Sequence, residues 1–260
     1  MSESADIRTV VREKYGAIAE GRTSGCCGAG CGCGETEVLG QIGYTAEQAQ
    51  VIPEGSNLGL GCGNPLAFAE VRPGETVLDL GSGAGIDCFL AAREVGPGGK
   101  VIGVDMTSAM LERARANAAK HGYANVEFRL GEIEHLPVPD ASVDLVISNC
   151  VVNLSPDKPQ VFRETFRALR SGGRMVVSDL VLTRELGPQL QNDVDLYVGC
   201  VAGASLRQDY LRFIREAGFR DVEVVSESSY EVGADGLPAD GPERAAFDAM
   251  VSVKVRARKA

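Results

Sequence analysis

Three cysteines sit in short, turn-like surroundings that are unusual for a core thiol: Gly61-Cys62-Gly63-Asn64, Ser148-Asn149-Cys150-Val151 and Gly199-Cys200-Val201-Ala202-Gly203. The thiolate is the nucleophilic and metal-binding form of cysteine. Three thiolates brought together make a soft ligand set, suited to a thiophilic ion and not to magnesium or calcium. Such a set grips its target through sulfur.

A second chemical signal lies between the first two cysteines. The apolar run Thr76–Leu80 leads into Asp79-Leu80-Gly81-Ser82-Gly83-Ala84-Gly85. Glycines at the carboxyl end of a strand allow a tight turn and let a ligand approach the backbone. A dinucleotide fingerprint would place its third glycine at position 86, which is Ile86. The spacing is Asp-x-Gly-x-Gly-x-Gly, which resembles motif I of S-adenosylmethionine-dependent methyltransferases. Asp105 ends the next strand, where an acid accepts both ribose hydroxyls of an adenosine, and Met106 follows it. Glu132-Ile133, after the third strand, resembles the segment that lines the adenine in this fold. The expected cofactor set is therefore Asp79, Gly81, Ser82, Gly83, Gly85, Asp105, Met106, Glu132, Ile133 and Asn149. The competing readings are a nicotinamide or flavin dehydrogenase and a plain strand-to-helix turn. The order strand, glycine loop, helix, strand, acid favours the cofactor site over both.

Ser148-Asn149-Cys150 ends the fourth strand, on the side where open α/β sheets place their ligands. Enzymes that methylate amino groups of bases usually carry Asn/Asp-Pro-Pro-aromatic here, and this chain does not. Oxygen methylation usually needs a base or a metal to remove a proton. The histidines are His121, near a helix end, and His135, in a loop, and both read as solvated surface residues. A trivalent arsenic atom needs no such base. Held by three thiolates it keeps a lone pair that attacks a sulfonium methyl directly, so positioning supplies most of the catalysis.

Residues 43–217 closely resemble the arsenite methyltransferases. The likeness rests on Gly59-Leu-Gly-Cys62-Gly-Asn-Pro65, Val77-Leu-Asp-Leu-Gly-Ser-Gly-Ala-Gly-Ile-Asp-Cys88, Val104-Asp-Met106-Thr107, Ser148-Asn-Cys150-Val-Val-Asn-Leu154-Ser-Pro-Asp-Lys158 and Gly199-Cys200-Val-Ala-Gly-Ala204. The three cysteine-bearing segments are specific to that family, whereas motif I alone is not. The resemblance implies S-adenosylmethionine as methyl donor and arsenite, delivered as a thiol complex, as substrate. It implies Cys150 and Cys200 as arsenic ligands, with Cys62 as ligand and redox partner. It also implies a reducing cysteine near the N-terminus. Cys33 matches that position and would pair with Cys62, and Cys31 and Cys27 remain alternatives. Thioredoxin or glutathione would then reset the enzyme by thiol–disulfide exchange.

The cluster Cys26-Cys27-Gly28-Ala29-Gly30-Cys31-Gly32-Cys33 fits neither a Cys-x-x-Cys pair nor a zinc framework. Its glycines argue against fixed geometry, which suits a relay or capture segment as well as an incidental tail. Cys88, inside an apolar helical stretch, reads as a small buried hydrophobe.

The elements that must position these groups follow from periodicity and punctuation. Residues 5–20 read as an amphipathic helix, 21–36 as a segment without packed structure, and 37–70 as irregular chain with short helices. Strands are expected at Thr76–Leu80, Lys100–Val104, Val126–Arg129, Val143–Ser148 and Arg174–Leu180. Helices are expected at Ile86–Val95, stopped by Gly96, at Ser108–His121, ended by Gly122, and at Leu206–Ala217. Ser155-Pro156 reads as an N-cap and first helical position of a helix running to Leu169. Val222–Ser226 and Ala249–Arg256 supply two last strands. Alternating strands and helices predict a class I methyltransferase fold: a Rossmann-like, doubly wound, mostly parallel sheet. Three stretches follow: 1–70 with the N-terminal helix and the cysteine- and glycine-rich extension, 71–183 as cofactor-binding core, and 184–260 as a C-terminal α+β cap with the remaining strands.

The 260 residues are 44% hydrophobic and 24% charged, enough for one large domain with additions. A net charge of −10 argues against a nucleic-acid partner. The charged N-terminal stretch has no apolar signal region and no run approaches membrane-spanning length, so the expectation is a cytoplasmic protein without a membrane partner. In a reducing compartment eight cysteines are ligands, catalysts or relays before they are structural disulfides. Two rival functions keep part of this account. A carbon methyltransferase acting on a quinone or lipid precursor leaves the three cysteines unexplained. A thiol-based metalloid or redox sensor keeps them without turnover.

Overall fold

The computed structural model describes residues 2–23, 39–187, 199–230 and 241–260, with single positions 190 and 197. The cluster Cys26–Cys33, and with it the expected role of Cys33, lies outside the described residues.

Seven strands form one sheet: β1 (Thr76–Leu80), β2 (Lys100–Asp105), β3 (Val126–Leu130), β4 (Val143–Asn149), β5 (Leu169–Leu182), β6 (Arg220–Ser229) and β7 (Met250–Arg258). Their spatial order is β3-β2-β1-β4-β5-β7-β6. The first five run parallel, and β7 is inserted antiparallel between β5 and β6. The strand order reverses between β1 and β4, so the carboxyl ends of these two strands flank the crevice where such sheets bind ligands.

Side-chain alternation builds a core on each face. Leu78 and Leu80 of β1 pack with Val104, Val146 and Val177 against α5 (Lys158–Ala168) and α6 (Arg207–Glu216). Val77, Val101, Leu145, Ile147 and Val176 point the other way, onto α3 (Ile86–Val95) and α4 (Ser108–His121). Among the described residues the other α-helices are α1 (Ser2–Ala19), α2 (Ala46–Val51) and α7 (Pro242–Phe247). Arg174 fastens the segment leading into β1 by donating to both Glu75 carboxylate oxygens, at 2.7 and 2.8 Å, and to the Ala69 carbonyl.

Several boundaries differ from the sequence reading. Helix α5 starts at Lys158, with Asp157 as its N-cap accepting from the Gln160 amide at 3.0 Å. Ser155 is not the cap: its hydroxyl accepts from the Asp157 amide at 3.1 Å and donates to Glu134 Oε1 at 2.6 Å, in the turn before the helix. Strand β5 is longer than expected at both ends, since Leu169 pairs with Val143 and Leu182 pairs with Met250. Helix α7 has no counterpart in the sequence reading. The C-terminal strands join the main sheet through β5.

Candidate active site

The crevice at the ends of β1 and β4 opens into one elongated pocket. The glycine loop forms its floor. Gly81 has φ +66°, and a Cβ there would collide with Val151, so the loop and the segment after β4 touch backbone to side chain. Gly81, Ser82 and Gly83 all line the pocket. Gly85 does not. Its φ of +98° caps α3, and a side chain there would strike Phe89 and Phe128, so its role is packing.

Asp105, at the end of β2, accepts from Thr107 N at 2.8 Å and from Gly83 N at 2.9 Å. Burial pushes its carboxyl above the ordinary value, and these backbone donors pull it partly back. Asp79 accepts from the Cys88 thiol at 3.2 Å and is raised by burial and by the nearby Asp87 charge. Cys88 is fully buried, as its helical setting led one to expect. Met106, Ile133 and Asn149 also line the pocket. Glu132 does not line it, and instead pairs with Arg12 of α1 at 3.4 Å. The neighbouring Glu134 takes the inward place, bound by Arg8 at 3.0 Å. Helix α1 thus closes the outer side of the pocket through Arg8, Val11 and Tyr15.

S-adenosylmethionine fits this donor set. Four carboxylates, Asp79, Asp87, Asp105 and Glu134, line a pocket that would receive a cation. The Ser82 hydroxyl is buried without a hydrogen-bond partner and faces the same space. The open backbone of the glycine loop leaves room that side chains would fill.

Cys150 and Cys200 also line the pocket, and Cys62 adjoins it through Cys150. Cys62 and Cys150, distant in sequence, form a disulfide with a Cα–Cα separation of 5.7 Å. Cys200 lies beside them, and its thiol donates to the Cys150 carbonyl at 3.0 Å. Cys150 and Cys200 both hold left-handed backbone, at φ +60° and +65°, which is costly for a non-glycine residue and clusters at functional sites. Reduction of the Cys62–Cys150 bond would free two thiols beside Cys200. Cys62 is bonded here to Cys150, and its expected pairing with Cys33 lies outside the described residues. The three cysteines belong to one buried apolar cluster with Leu154, Leu180, Leu182, Val201 and Met250. Both histidines are exposed, as expected.

The sequence reading missed several residues here. Asp179, buried on β5, places a carboxylate oxygen within 4.8 Å of the Cys62 and Cys150 sulfurs. It accepts from Tyr210 at 3.0 Å, and burial pushes its carboxyl up to about 7. Lys158 is held below its usual range by burial, against the opposing pull of Asp179, Cys200 and Glu134. The loop Ser56–Gly61 walls the pocket, and Tyr44 bonds the α3 carboxylate of Asp87 at 2.8 Å. No local pattern marks these positions. Of them, Lys158, Asp87 and Gly59 to Gly61 fall within the quoted family segments.

Residues 72–218 match the family profile described as a methyltransferase domain. Strand order, glycine loop, paired acids and pocket define a class I S-adenosylmethionine-dependent methyltransferase. The arsenite methyltransferase of Halobacterium salinarum is 51% identical, over 98% of this chain and 67% of its own length. That of Aquipseudomonas alcaligenes is 39% identical, over 87% of this chain and 66% of its own. The crystal structure of the arsenic(III) S-adenosylmethionine methyltransferase from Chlamydomonas reinhardtii superposes with a TM-score of 0.68 at 34% identity, covering 86% of this chain and 74% of that one. The chain belongs to the arsenite methyltransferase family. It spans about two thirds of the length of the two prokaryotic relatives.

Proposed function

We propose that this enzyme transfers methyl groups from S-adenosylmethionine to trivalent arsenic held by Cys62, Cys150 and Cys200. The observation that carries the reading is that Cys150, bonded to Cys62, and the adjacent Cys200 line the same pocket as the glycine loop and Asp105. The bound cofactor supplies an electrophilic methyl group on a sulfonium. Asp79, Gly81, Ser82, Gly83, Asp105, Met106 and Ile133 would hold and orient it. The apolar cluster that includes the three cysteines excludes water, so the thiolate-bound arsenic lone pair meets the methyl carbon without competition from solvent.

Arsenite enters by ligand exchange with reduced thiols, releasing water or a small thiol. Methyl transfer leaves arsenic formally pentavalent. Two thiolates return it to the trivalent state by giving up two electrons and forming one disulfide. The Cys62–Cys150 bond is such a product. A further thiol, Cys33 or its neighbours Cys31 and Cys27, would attack the Cys62 sulfur and release Cys150 as thiolate. A dithiol reductant of the thioredoxin type, or glutathione, then completes the cycle. We place this activity in the cytoplasm, where such reductants act. Among the described residues no helix is long and apolar enough to cross a membrane.

The test is arsenic speciation after incubating the reduced chain with arsenite, S-adenosylmethionine and excess thiol. Mono- and dimethylated arsenicals should accumulate, with S-adenosylhomocysteine in step. Cofactor binding with no methylated arsenic would refute the proposal and leave a thiol sensor or a carbon methyltransferase.

A further inference from the structure

Asn149 was expected to contact the cofactor, yet the protein itself engages both ends of its carboxamide. Its Oδ1 accepts from the Cys62 amide at 3.1 Å. Its Nδ2 donates to the Gly63 carbonyl at 2.6 Å, to the Tyr44 hydroxyl at 3.0 Å and to Asp87 Oδ2 at 3.3 Å. The Tyr44 hydroxyl in turn donates its own proton to Asp87 Oδ1 at 2.8 Å. This pattern fixes which way the amide points. Reversed, an amide oxygen would face a carbonyl, a hydroxyl oxygen and a carboxylate, with no proton between it and two of them. The amide therefore bridges the Cys62 N–H and the Gly63 carbonyl, on either side of the peptide that joins these two residues. From the opposite side Ser252 donates to the Cys62 carbonyl at 2.9 Å.

We propose that Tyr44, Asp87 and Asn149 are positioning residues for Cys62: the tyrosine and the aspartate hold the Asn149 amide, and that amide seats the Cys62-Gly63 segment on the end of β4 through the Cys62 N–H and the Gly63 carbonyl. Without the clamp, the glycine-flanked Cys62 loop would be held by Ser252 on its carbonyl and by the sulfur's links to Cys150 and to the Ser178 carbonyl at 3.7 Å. With it, the Cys62 sulfur is presented to Cys150 and to whatever Cys150 holds. Tyr44 and Asp87 are buried, and Asp87 belongs to the first turn of the helix that follows the glycine loop. The seat of the third sulfur is thus built from the cofactor-binding half of the site. The inference rests on the arsenic reading for its consequence in catalysis, but not for its geometry.

The test needs no arsenic in its first arm. The full chain is equilibrated in glutathione redox buffers, and the fraction of Cys62–Cys150 disulfide is read by alkylation and mass spectrometry. Tyr44→Phe removes one hydroxyl and should lower the equilibrium constant for the disulfide about threefold to tenfold, the weight of one or two hydrogen bonds. Asn149→Asp is isosteric, but it puts an acceptor against the Gly63 carbonyl and the Asp87 carboxylate. It should lose at least as much as Asn149→Ala, which a space-filling role would not produce. Equilibrium constants within twofold of wild type in folded Tyr44→Phe and Asn149→Asp proteins overturn the proposal. The second arm compares substrates: Tyr44→Phe should raise the KM for arsenite more than that for monomethylarsenite, which has fewer positions for sulfur. Equal effects on both would also overturn it. If wild type methylates no arsenic, the functional proposal has failed, and the first arm still decides this one.

Discussion

Replacing Asp105 probes the cofactor half of the site without touching the cysteines. In the structure its two oxygens accept backbone protons from Thr107 and Gly83, at 2.8 and 2.9 Å, so one carboxylate ties the glycine loop to the start of α4. It also lines the pocket, where an adenosine ribose would add its hydroxyls. Asp105→Ala removes an ionised acceptor from these bonds, each worth about 1.5–3 kcal/mol when charge-assisted. Losing one such contribution to binding weakens affinity about tenfold to a hundredfold. Asp105→Asn keeps one acceptor oxygen and should fall between. Burial raises the folded-state pKa of this group, so its charged form costs the folded protein stability above that pKa. Neutralising it therefore relieves part of any destabilisation, and binding should suffer more than folding. Calorimetric titration of the reduced chain with S-adenosylhomocysteine at pH 8, alongside thermal unfolding, separates the two. An Asp105→Ala protein with a normal transition and a Kd within twofold of wild type would show that the adenosine lies elsewhere.

Two further expectations concern the sulfurs and their buried neighbour. Cys150→Ser and Cys200→Ser should abolish methylation of both arsenite and monomethylarsenite while leaving S-adenosylhomocysteine binding intact. Cys62→Ser and Cys33→Ser should impair arsenite most and retain monomethylarsenite turnover in excess thiol. Equal losses on both substrates in all four variants would contradict that division. Asp179 has its carboxyl raised to about 7 by burial, so its contribution to stability is fully present below about pH 4 and is lost as the pH rises through 7. Asp179→Asn keeps an acceptor for Tyr210 and removes that loss, so its stability relative to wild type should improve by about 2–4 kcal/mol between pH 4 and pH 8. Denaturant unfolding of the reduced proteins at both pH values checks this, and a difference independent of pH would refute it.

The sequence by itself determined the nucleotide half of this protein. Thr76–Leu80, Ile86–Val95 and Ser108–His121 are bounded by glycines and carry their own period, and the structure reproduces those limits. The glycine loop and Asp105 are legible because their spacing is local. The three cysteines were visible as residues in odd settings, but their mutual distance was not. Cys62 and Cys150 are 88 residues apart, and only the adjacency of β4, β5 and the loop before β1 brings them together. Elsewhere a distant partner overrode a local signal. Ser155 looks like a helix cap, but its hydroxyl bonds Glu134 and the Asp157 amide in the turn before the helix, and Asp157 caps α5, which begins at Lys158. Strand β5 reaches Leu182 because β7 pairs along its edge from the other end of the chain. Asp179, Tyr44 and Asp87 carry no pattern in their neighbours. What they do follows from burial and from hydrogen bonds to residues tens of positions away, and those exist only once the sheet has closed around them.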